Sequence, residues 1–449
     1  MYILRIRTNQ TKCLISQVNH NGALSRRFFS RSVCCCKPIV QIKDVQQLPH
    51  KISPTYTKDP STAPKNTLYH LSWPKDQHPR NVFLVKKPWQ PHVRQAMVDF
   101  ILFLAQKYPK VNVIVEPDVA EEIEPDFAFV KQPNLPSSIS LYTTTADLNL
   151  QRIYHKSDLL VTFGGDGTIL KAVSMFSSVQ AAKSTSSTTN TNLVAVPPPV
   201  LSFSLGTLGF LMPFHITDAH SVFAKVHDGT APVMHRRRLK CSVYKDARTH
   251  KVWPTGVPPP VFANPSSDPT ASLEQQQHTA SVPESVTFAM NDINIHRGPD
   301  PHLTYLDITV NAHYLTTAIA DGVIIATPTG STAYSLSSGG SIIHPAVPCT
   351  LITPICPRSL SFRPLVFPGD STIEIAVSPL TRGQSTEISI DGANKGVLSP
   401  GDKIVIEPED DGPVPGAHSG IWCVAKSAGD WIGHLNGLLG FNSKFGAKP

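Results

Sequence analysis

Gly164, Gly165, Asp166, Gly167 and Thr168 stand in succession, joining backbone freedom, a carboxylate and a hydroxyl at a spacing that suits phosphate chemistry. Glycines accept positive φ and let the backbone approach a ligand closely, and a helix opening at Thr168 turns its free N–H groups toward an anion. An acid within such a cradle repels phosphate unless it takes part in the reaction. Asp166 therefore reads as a base for a hydroxyl or as a tie to a metal. An ordinary βα turn is the competing reading, its acid serving only to favour the helix dipole.

Two other stretches carry polar groups where a plain β segment has no use for them. From Asp321 an apolar run leads into the turn Pro328, Thr329, Gly330 and then a helix start dense in hydroxyls, with Ser331, Thr332, Tyr334 and Ser335. Hydroxyls and free N–H groups there suit ribose, amide and phosphate acceptors; helix capping by Ser331 or Thr332, with Tyr334 in the core, would use the same residues. Asn291 and Asp292 interrupt an apolar β run, where neighbours point to opposite faces unless a bulge intervenes. A buried pair of this kind needs partners, which a ribose diol or a satisfied turn could supply.

The elements that must position these groups follow from periodicity. Residues 82 to 85 form an apolar strand, and Val93, Met97, Phe100, Ile101 and Leu104 recur at helical spacing over 90 to 107, ended by Pro109. Strands at 111 to 115, 159 to 163 and 200 to 205 complete a β, α, β, β, α, β order, which calls for an α/β domain with a mostly parallel sheet. Ligands of such sheets bind at the carboxyl ends of the strands, where the glycine turn falls. From Val233 onward short alternating segments predominate, at 239 to 244, 286 to 295, 303 to 310, 314 to 318, 323 to 326, 372 to 377, 387 to 390, 403 to 406 and 421 to 425. A hairpin turn is expected at Asn311, Ala312 and His313, and the pattern predicts an all-β sandwich-like second domain.

The segment boundaries expected are a leader over 1–43, a linker or surface strap over 44–79, the α/β domain over 80–217, the β-rich domain over 218–425, and a C-terminal helix and tail over 426–449. Polar insertions, expected to lie outside the packed core, occupy 180–199 and 255–285. The leader holds eight Lys and Arg and no acid, the composition of a mitochondrial transit peptide. Taking those eight from the 40 basic residues leaves 32 against 33 acidic ones, so the net charge of +7 belongs to the leader. The body then loses the basic excess that nucleic-acid binding requires. No apolar run reaches the roughly 18 residues of a membrane span, and the eight cysteines show no metal-ligand spacing, which favours reduced thiols and no side-chain metal cluster.

GGDGT at 164 to 168, GTLGFL at 206 to 211, the Asn-acid pair at 291, and DGVIIATPTGSTAYSLSSGG at 321 to 340 occur together and in order. In this combination the sequence resembles the NAD kinases, and among them the fungal mitochondrial members described as NADH kinases; residues 351 to 366 and Asp391 with Gly392 extend the likeness. GGDGT is shared with lipid kinases, whereas its conjunction with TPTGSTAY is specific. The resemblance implies ATP-dependent phosphorylation of the adenosine-ribose 2′-hydroxyl of NAD(H), with Mg²⁺, in a homodimer or tetramer of the mitochondrial matrix. It implies that Asp166 is the general base, that Gly165, Gly167 and Thr168 lie at phosphates, and that Asn291 and Asp292 hold ribose. Asp321 would meet the distal nucleotide, Thr329 with Ser331, Thr332, Ala333, Tyr334, Ser335, Leu336 and Ser337 the adenine and nicotinamide ends, and Asp391 the same substrate; the β-rich domain would bind the dinucleotide. Two departures stand out: many members have Asn-Glu where this chain has Asn291 and Asp292, and a glutamine where it has Ala393. A lipid kinase or a non-catalytic dinucleotide sensor are the competing readings, set against the specific TPTGSTAY and the intact Asp166.

Overall fold

The computed structural model describes residues 39–58, 67–127, 136–144, 150–185, 197–206, 208–246, 283–383, 385–409 and 419–440. The first domain opens with β1 (Ile39–Asp44), β2 (Thr55–Thr57) and β3 (Tyr69–Ser72). Then come β4 (Asn81–Lys86), α1 (Pro91–Lys107), β5 (Asn112–Ile114), α2 (Pro117–Phe127), β6 (Ser138–Thr143) and α3 (Leu150–Lys156). After them follow β7 (Leu159–Gly164), α4 (Asp166–Thr185), β8 (Val200–Ser204), β9 (Phe214–His215), α5 (Ala219–His227) and β10 (Pro232–Arg236).

In the sheet the order is β1, β6, β5, β4, β7, β8, with β4, β5 and β6 laid outward one way and β7 and β8 the other. The order reverses between β4 and β7, so their carboxyl ends form the topological switch point at which such sheets bind ligands. Strands β4, β7 and β8 are buried on both faces, as a sheet covered by helices on both sides must be. Val82, Leu84, Val161 and Phe163 pack against α1 and α5 on one side, and Phe83, Val85 and Leu160 against Ile169, Val173 and Phe176 of α4 on the other.

The second domain is a sandwich of two antiparallel sheets. Its strands are β11 (Leu239–Tyr244), β12 (Ser285–Ala289), β13 (Asp292–His296), β14 (Thr304–Val310), β15 (His313–Ala320) and β16 (Gly322–Ala326). After a short helix α6 (Tyr334–Ser337) they continue with β17 (Cys349–Ile355), β18 (Leu365–Pro368), β19 (Ile373–Val377), β20 (Thr386–Ile390), β21 (Ala393–Leu398) and β22 (Lys403–Pro408). One sheet runs β12, β11, β22, β19, β14, β15 and the other β18, β17, β16, β13, β20, β21. Alternate residues meet between them: Leu306, Ile308, Ile373, Ile375, Ile404 and Ile406 from one face Ile293, Ile295, Val323, Ile325, Ile388 and Ile390 from the other. The expected hairpin turn is present, with Asn311 and Ala312 at φ of 48° and 62° and His313 already in β15. Positive φ at both central residues is the two-residue turn that matches strand twist.

Five expectations are corrected. The strap over 44–79 supplies β2 and β3, and β1 occupies the last residues assigned to the leader, because Ile39 to Asp44 pair in parallel with β6. The rest of the leader lies outside the described residues. Residues 219–236, assigned to the β-rich domain, instead form α5 and β10 of the first domain. The run 421 to 425 also returns to the first sheet: β23 (Ile421–Val424) lies between β8 and β10, where Trp422 is buried against Tyr56, stacked at 4.0 Å, and Tyr69. The apolar run 286 to 295 is two strands in different sheets. The carboxylate of Asp391 accepts the N–H groups of Met290, Asn291 and Asp292 at its break. Helix α4 continues to Thr185, past the expected start of the 180–199 insertion; most of 255–285 lies outside the described residues. The closing helix is α7 (Asp430–Leu439), and no described helix is long and apolar enough to cross a membrane.

Candidate active site

Strand β7 delivers the glycine turn to the switch point, and α4 begins at Asp166. The turn closes on itself through Thr168 N–H to the Gly165 carbonyl at 2.8 Å and Gly165 N–H to Thr168 Oγ1 at 3.3 Å. A Cβ on Gly164 would overlap the Thr168 hydroxyl, whereas one on Gly165 or Gly167 would meet no atom within 4 Å. Gly164 is thus required by packing, and the other two face open space.

In the second family-like stretch, residues 209–211 fold over the carboxylate of Asp166. Phe210 N–H donates to Oδ2 at 3.2 Å and Leu211 N–H to Oδ1 at 3.1 Å. A Cβ at Gly209 would overlap that carboxylate. Burial pushes the Asp166 carboxyl above the ordinary range, opposed by the Leu211 N–H, the charge of Arg236 and the Phe210 N–H. Each carboxylate oxygen takes one N–H and keeps a lone pair for another donor.

Thr327 to Ser335 forms the opposite wall. Thr327 N–H donates to the Asn291 carbonyl at 2.9 Å and its hydroxyl to the Met290 carbonyl at 2.6 Å, and a Cβ at Gly330 would overlap the Asn291 carbonyl. The turn is thereby seated on the Asn291–Asp292 pair. Asn291 is 7% exposed and its side-chain Oδ1 has no hydrogen-bond partner. A buried acceptor left so costs about 1–3 kcal/mol, a cost that a ligand donor such as a ribose hydroxyl would remove. Asp292 is 6% exposed, and burial first, then the neighbouring Asp391, push its carboxyl up to about 7. Asp391, at φ 51° and followed by Gly392 at 77°, makes the turn between β20 and β21. Its carboxylate is spent on backbone N–H groups, which makes it a tie beneath the Asn–Asp pair.

The hydroxyls divide into two sets. Ser331 donates to the Pro328 carbonyl at 2.7 Å and accepts the Ile343 N–H at 2.9 Å, and Ser335 bonds Thr353 Oγ1 at 2.8 Å; both are fully buried. They hold the turn's shape. Thr332 bonds the Thr329 carbonyl, and Thr332, Ala333 and Leu336 are half-buried while Ser337 and Tyr334, the latter 44% exposed, are open to a ligand. Asp321 is not brought to this cluster. It lies at the far end of β16, about 20 Å from Thr327 at 3.3 Å per strand residue, and pairs with Arg297 at 2.7 Å.

Sequence reasoning missed Arg236, which is 6% exposed. Its guanidinium donates to Thr329 Oγ1 at 3.2 Å and to the Phe210 carbonyl at 3.3 Å, spanning the two walls. The available signal was the run Arg236, Arg237, Arg238 in a body otherwise balanced in charge. Among the described residues His78, His227 and Asp228 bring ligand atoms within 4.8 Å of one another. That group sits before β4, at the opposite end of the strand from the glycine turn. Its imidazoles stack at 4.4 Å and 4°, so their in-plane lone pairs do not converge on one ion.

The ATP-NAD kinase C-terminal domain family matches residues 290–409. The chain is 42% identical over 433 residues to the mitochondrial NADH kinase of Saccharomyces cerevisiae, covering 90% of each. It is 35% identical over 412 residues to the mitochondrial NADH kinase of Schizosaccharomyces pombe, covering 91% of this chain and 87% of that one. Its fold is similar to the crystal structure of yeast NADH kinase complexed with NADH, at 43% identity and a TM-score of 0.70, covering 90% of this chain and 98% of that one.

Asp292 generates a pH prediction. Its folded pKa of about 7 lies above the unfolded value, so its contribution to stability is complete below the unfolded value and is lost as pH rises through about 7. Asp292→Asn does not titrate. Its melting temperature relative to wild type should rise between pH 4.5 and 7 and level off above; a difference constant with pH would mean that Asp292 is ionised in the fold throughout.

Proposed function

We infer the activity from one premise, that the chain belongs to the NAD kinase family: it transfers the γ-phosphoryl group of ATP to the 2′-hydroxyl on the adenosine ribose of NAD(H), giving NADP(H) and ADP. The observation that carries this reading is the 42% identity extending over nine-tenths of both chains, which leaves no room for a borrowed domain. The site supports it. A glycine turn at the switch point suits phosphates, and an unpartnered buried amide oxygen at Asn291 suits a ribose donor.

In the mechanism, Gly165, Gly167 and the first N–H groups of α4 receive the phosphates. Asn291 and Asp292 hold the adenosine ribose, and Thr329, Tyr334 and Ser337 border its base, with Ser331 and Ser335 keeping that wall in shape. The 2′-oxygen forms its bond to the γ-phosphorus as the bond to the β,γ-bridging oxygen breaks, and Asp166 accepts the hydroxyl proton. A positioned base of this kind contributes about 10²–10⁴-fold. The donor set also fits Mg²⁺, a hard ion that takes its ligands from phosphates, water and one or two carboxylates. Asp166 would hold it with the substrate phosphates, and the ion supplies neutralisation of phosphate charge.

Asp321, remote from the cluster, would meet the distal end of the dinucleotide or a second copy of the chain. Assembly as a homo-oligomer is part of this reading. Its support is β15, the outermost strand of its sheet, which leaves Tyr314 66% exposed beside Leu315, a free edge of the kind proteins ordinarily cover. The reading places the enzyme in the mitochondrial matrix, where it would supply NADPH. Its support is the acid-free basic leader together with the mitochondrial relatives.

Three outcomes test this reading. Purified protein should form NADP(H) from NAD or NADH only with ATP and Mg²⁺, and Asp166→Asn should keep nucleotide binding while kcat falls about 10²-fold or more; near-normal turnover in the variant removes Asp166 from the proton transfer. Sedimentation equilibrium should give a mass of two or four chains, and a monomer at micromolar concentration rejects the assembly. Residues 1–38 fused to a reporter should carry it into the matrix, a claim that a cytosolic reporter would sink.

A further inference from the structure

We propose that Arg236 is the positioning residue that ties the Asp166 wall of the cleft to the dinucleotide wall, so that turnover and dinucleotide engagement depend on it together; the proposal rests on the kinase reading above. One guanidinium reaches both sides of the cleft, donating to Thr329 Oγ1 at 3.2 Å and to the Phe210 carbonyl at 3.3 Å. The same Phe210 donates its N–H to Asp166 Oδ2 at 3.2 Å. The Phe210 carbonyl also shares its planar peptide unit with the Leu211 N–H, which donates to Asp166 Oδ1 at 3.1 Å, so the position of Arg236 is passed to the carboxylate through one rigid plane.

On the other side, Thr329 accepts from the arginine, so its own hydroxyl proton is free to point at a ligand acceptor. A guanidinium stays charged at every pH of interest and holds a rigid fork, so it can serve both contacts at once in a way that an ammonium cannot.

The groups facing Arg236 come from several elements. Cys423 of β23 accepts a hydrogen bond from it and is buried. His344 lies close enough that the arginine's charge, after burial, holds its imidazole below the ordinary value. Asp430 and His434 of α7 line the same cavity, and Trp431 beside them packs edge-on against His344. Arg236 is the cation among these that reaches the Phe210 and Thr329 walls together. Its Nε has no partner of its own, so the side chain's hydrogen bonds are committed to the two walls and to Cys423.

The test is kcat and the KM for NAD(H) in three variants of the full chain. Arg236→Met keeps length and apolar bulk, and exchanging a buried charge for a matching apolar side chain is often neutral for folding. With both walls released it should lower kcat about tenfold and raise the KM for NAD(H) about tenfold. Arg236→Lys, which can hold one wall at a time, should raise that KM severalfold with a smaller loss of kcat. Thr329→Val, which releases the dinucleotide wall alone, should likewise raise that KM more than it lowers kcat.

A folded Arg236→Met with the wild-type kcat overturns the proposal. Should Arg236→Met fail to fold, an Arg236→Lys enzyme with wild-type kcat and KM overturns it equally. A wild type that forms no NADP(H) would instead overturn the kinase reading beneath it.

Discussion

A buried ion pair sits where the chain passes between its two domains. Strand β10 ends at Arg236 and β11 begins at Leu239, while the return runs from β22, ending at Pro408, to β23 at Ile421. Arg238 on the outward crossing and Glu409 on the return bond each other in a two-pronged pair, and their side chains are 0% and 7% exposed. Glu409 also accepts the Gly420 N–H at 2.8 Å, and the guanidinium lies 5.0 Å from the Phe288 ring centre. Removing one partner of such a pair leaves an uncompensated buried charge, at about 3–5 kcal/mol. The pair fixes both crossings at one point, and Arg236, two residues away, is thereby aimed into the cleft.

The cleft has one rigid wall from each domain. On the first-domain side Phe210 and Leu211 are locked to the glycine turn by hydrogen bonds to one carboxylate, that of Asp166. On the second-domain side another carboxylate, that of Asp391, gathers three consecutive N–H groups and so sets where Asn291 and Asp292 project. Each wall uses an acid to organise backbone, and each pays with desolvation that raises the acid's pKa. Asp292 is pushed up to about 7, by burial first and then by the neighbouring Asp391. Two acids close together in a buried wall cannot both ionise easily, so the wall that carries Asp292 and Asp391 favours retention of a proton.

Much of this was legible in the sequence, because its signals are local. A strand, three glycines and a helix start specify a phosphate turn wherever the fold places them, and period-two alternation specifies sandwich strands such as β14 and β19, whose residues alternate strictly between buried and half-buried. The Asn291–Asp292 pair was conspicuous because polar residues inside an apolar β run need a reason. The family likeness rests on the same local patterns.

What the tertiary structure decided is pairing between distant residues, which leaves no local trace. That 421 to 424 return to the first sheet follows from a slot between β8 and β10 and an aromatic pocket from Tyr56 and Tyr69, both supplied by segments far away in the chain. The polar stretch 44–79 had no periodicity because its short strands β2 and β3 form the end of a sheet, where Leu71 is the single buried residue between them. Ser331 and Ser335 carry the same hydroxyls as ligand-facing neighbours, and only the partners Ile343 and Thr353 show that they are spent on the fold. Arg236 was one of three consecutive arginines, and its role depends on Phe210 and Thr329 arriving on opposite sides of it. Residue type and spacing thus determined which chemistry the chain can do; three-dimensional neighbours, set by the packing of the whole, decided which of those groups are free to do it.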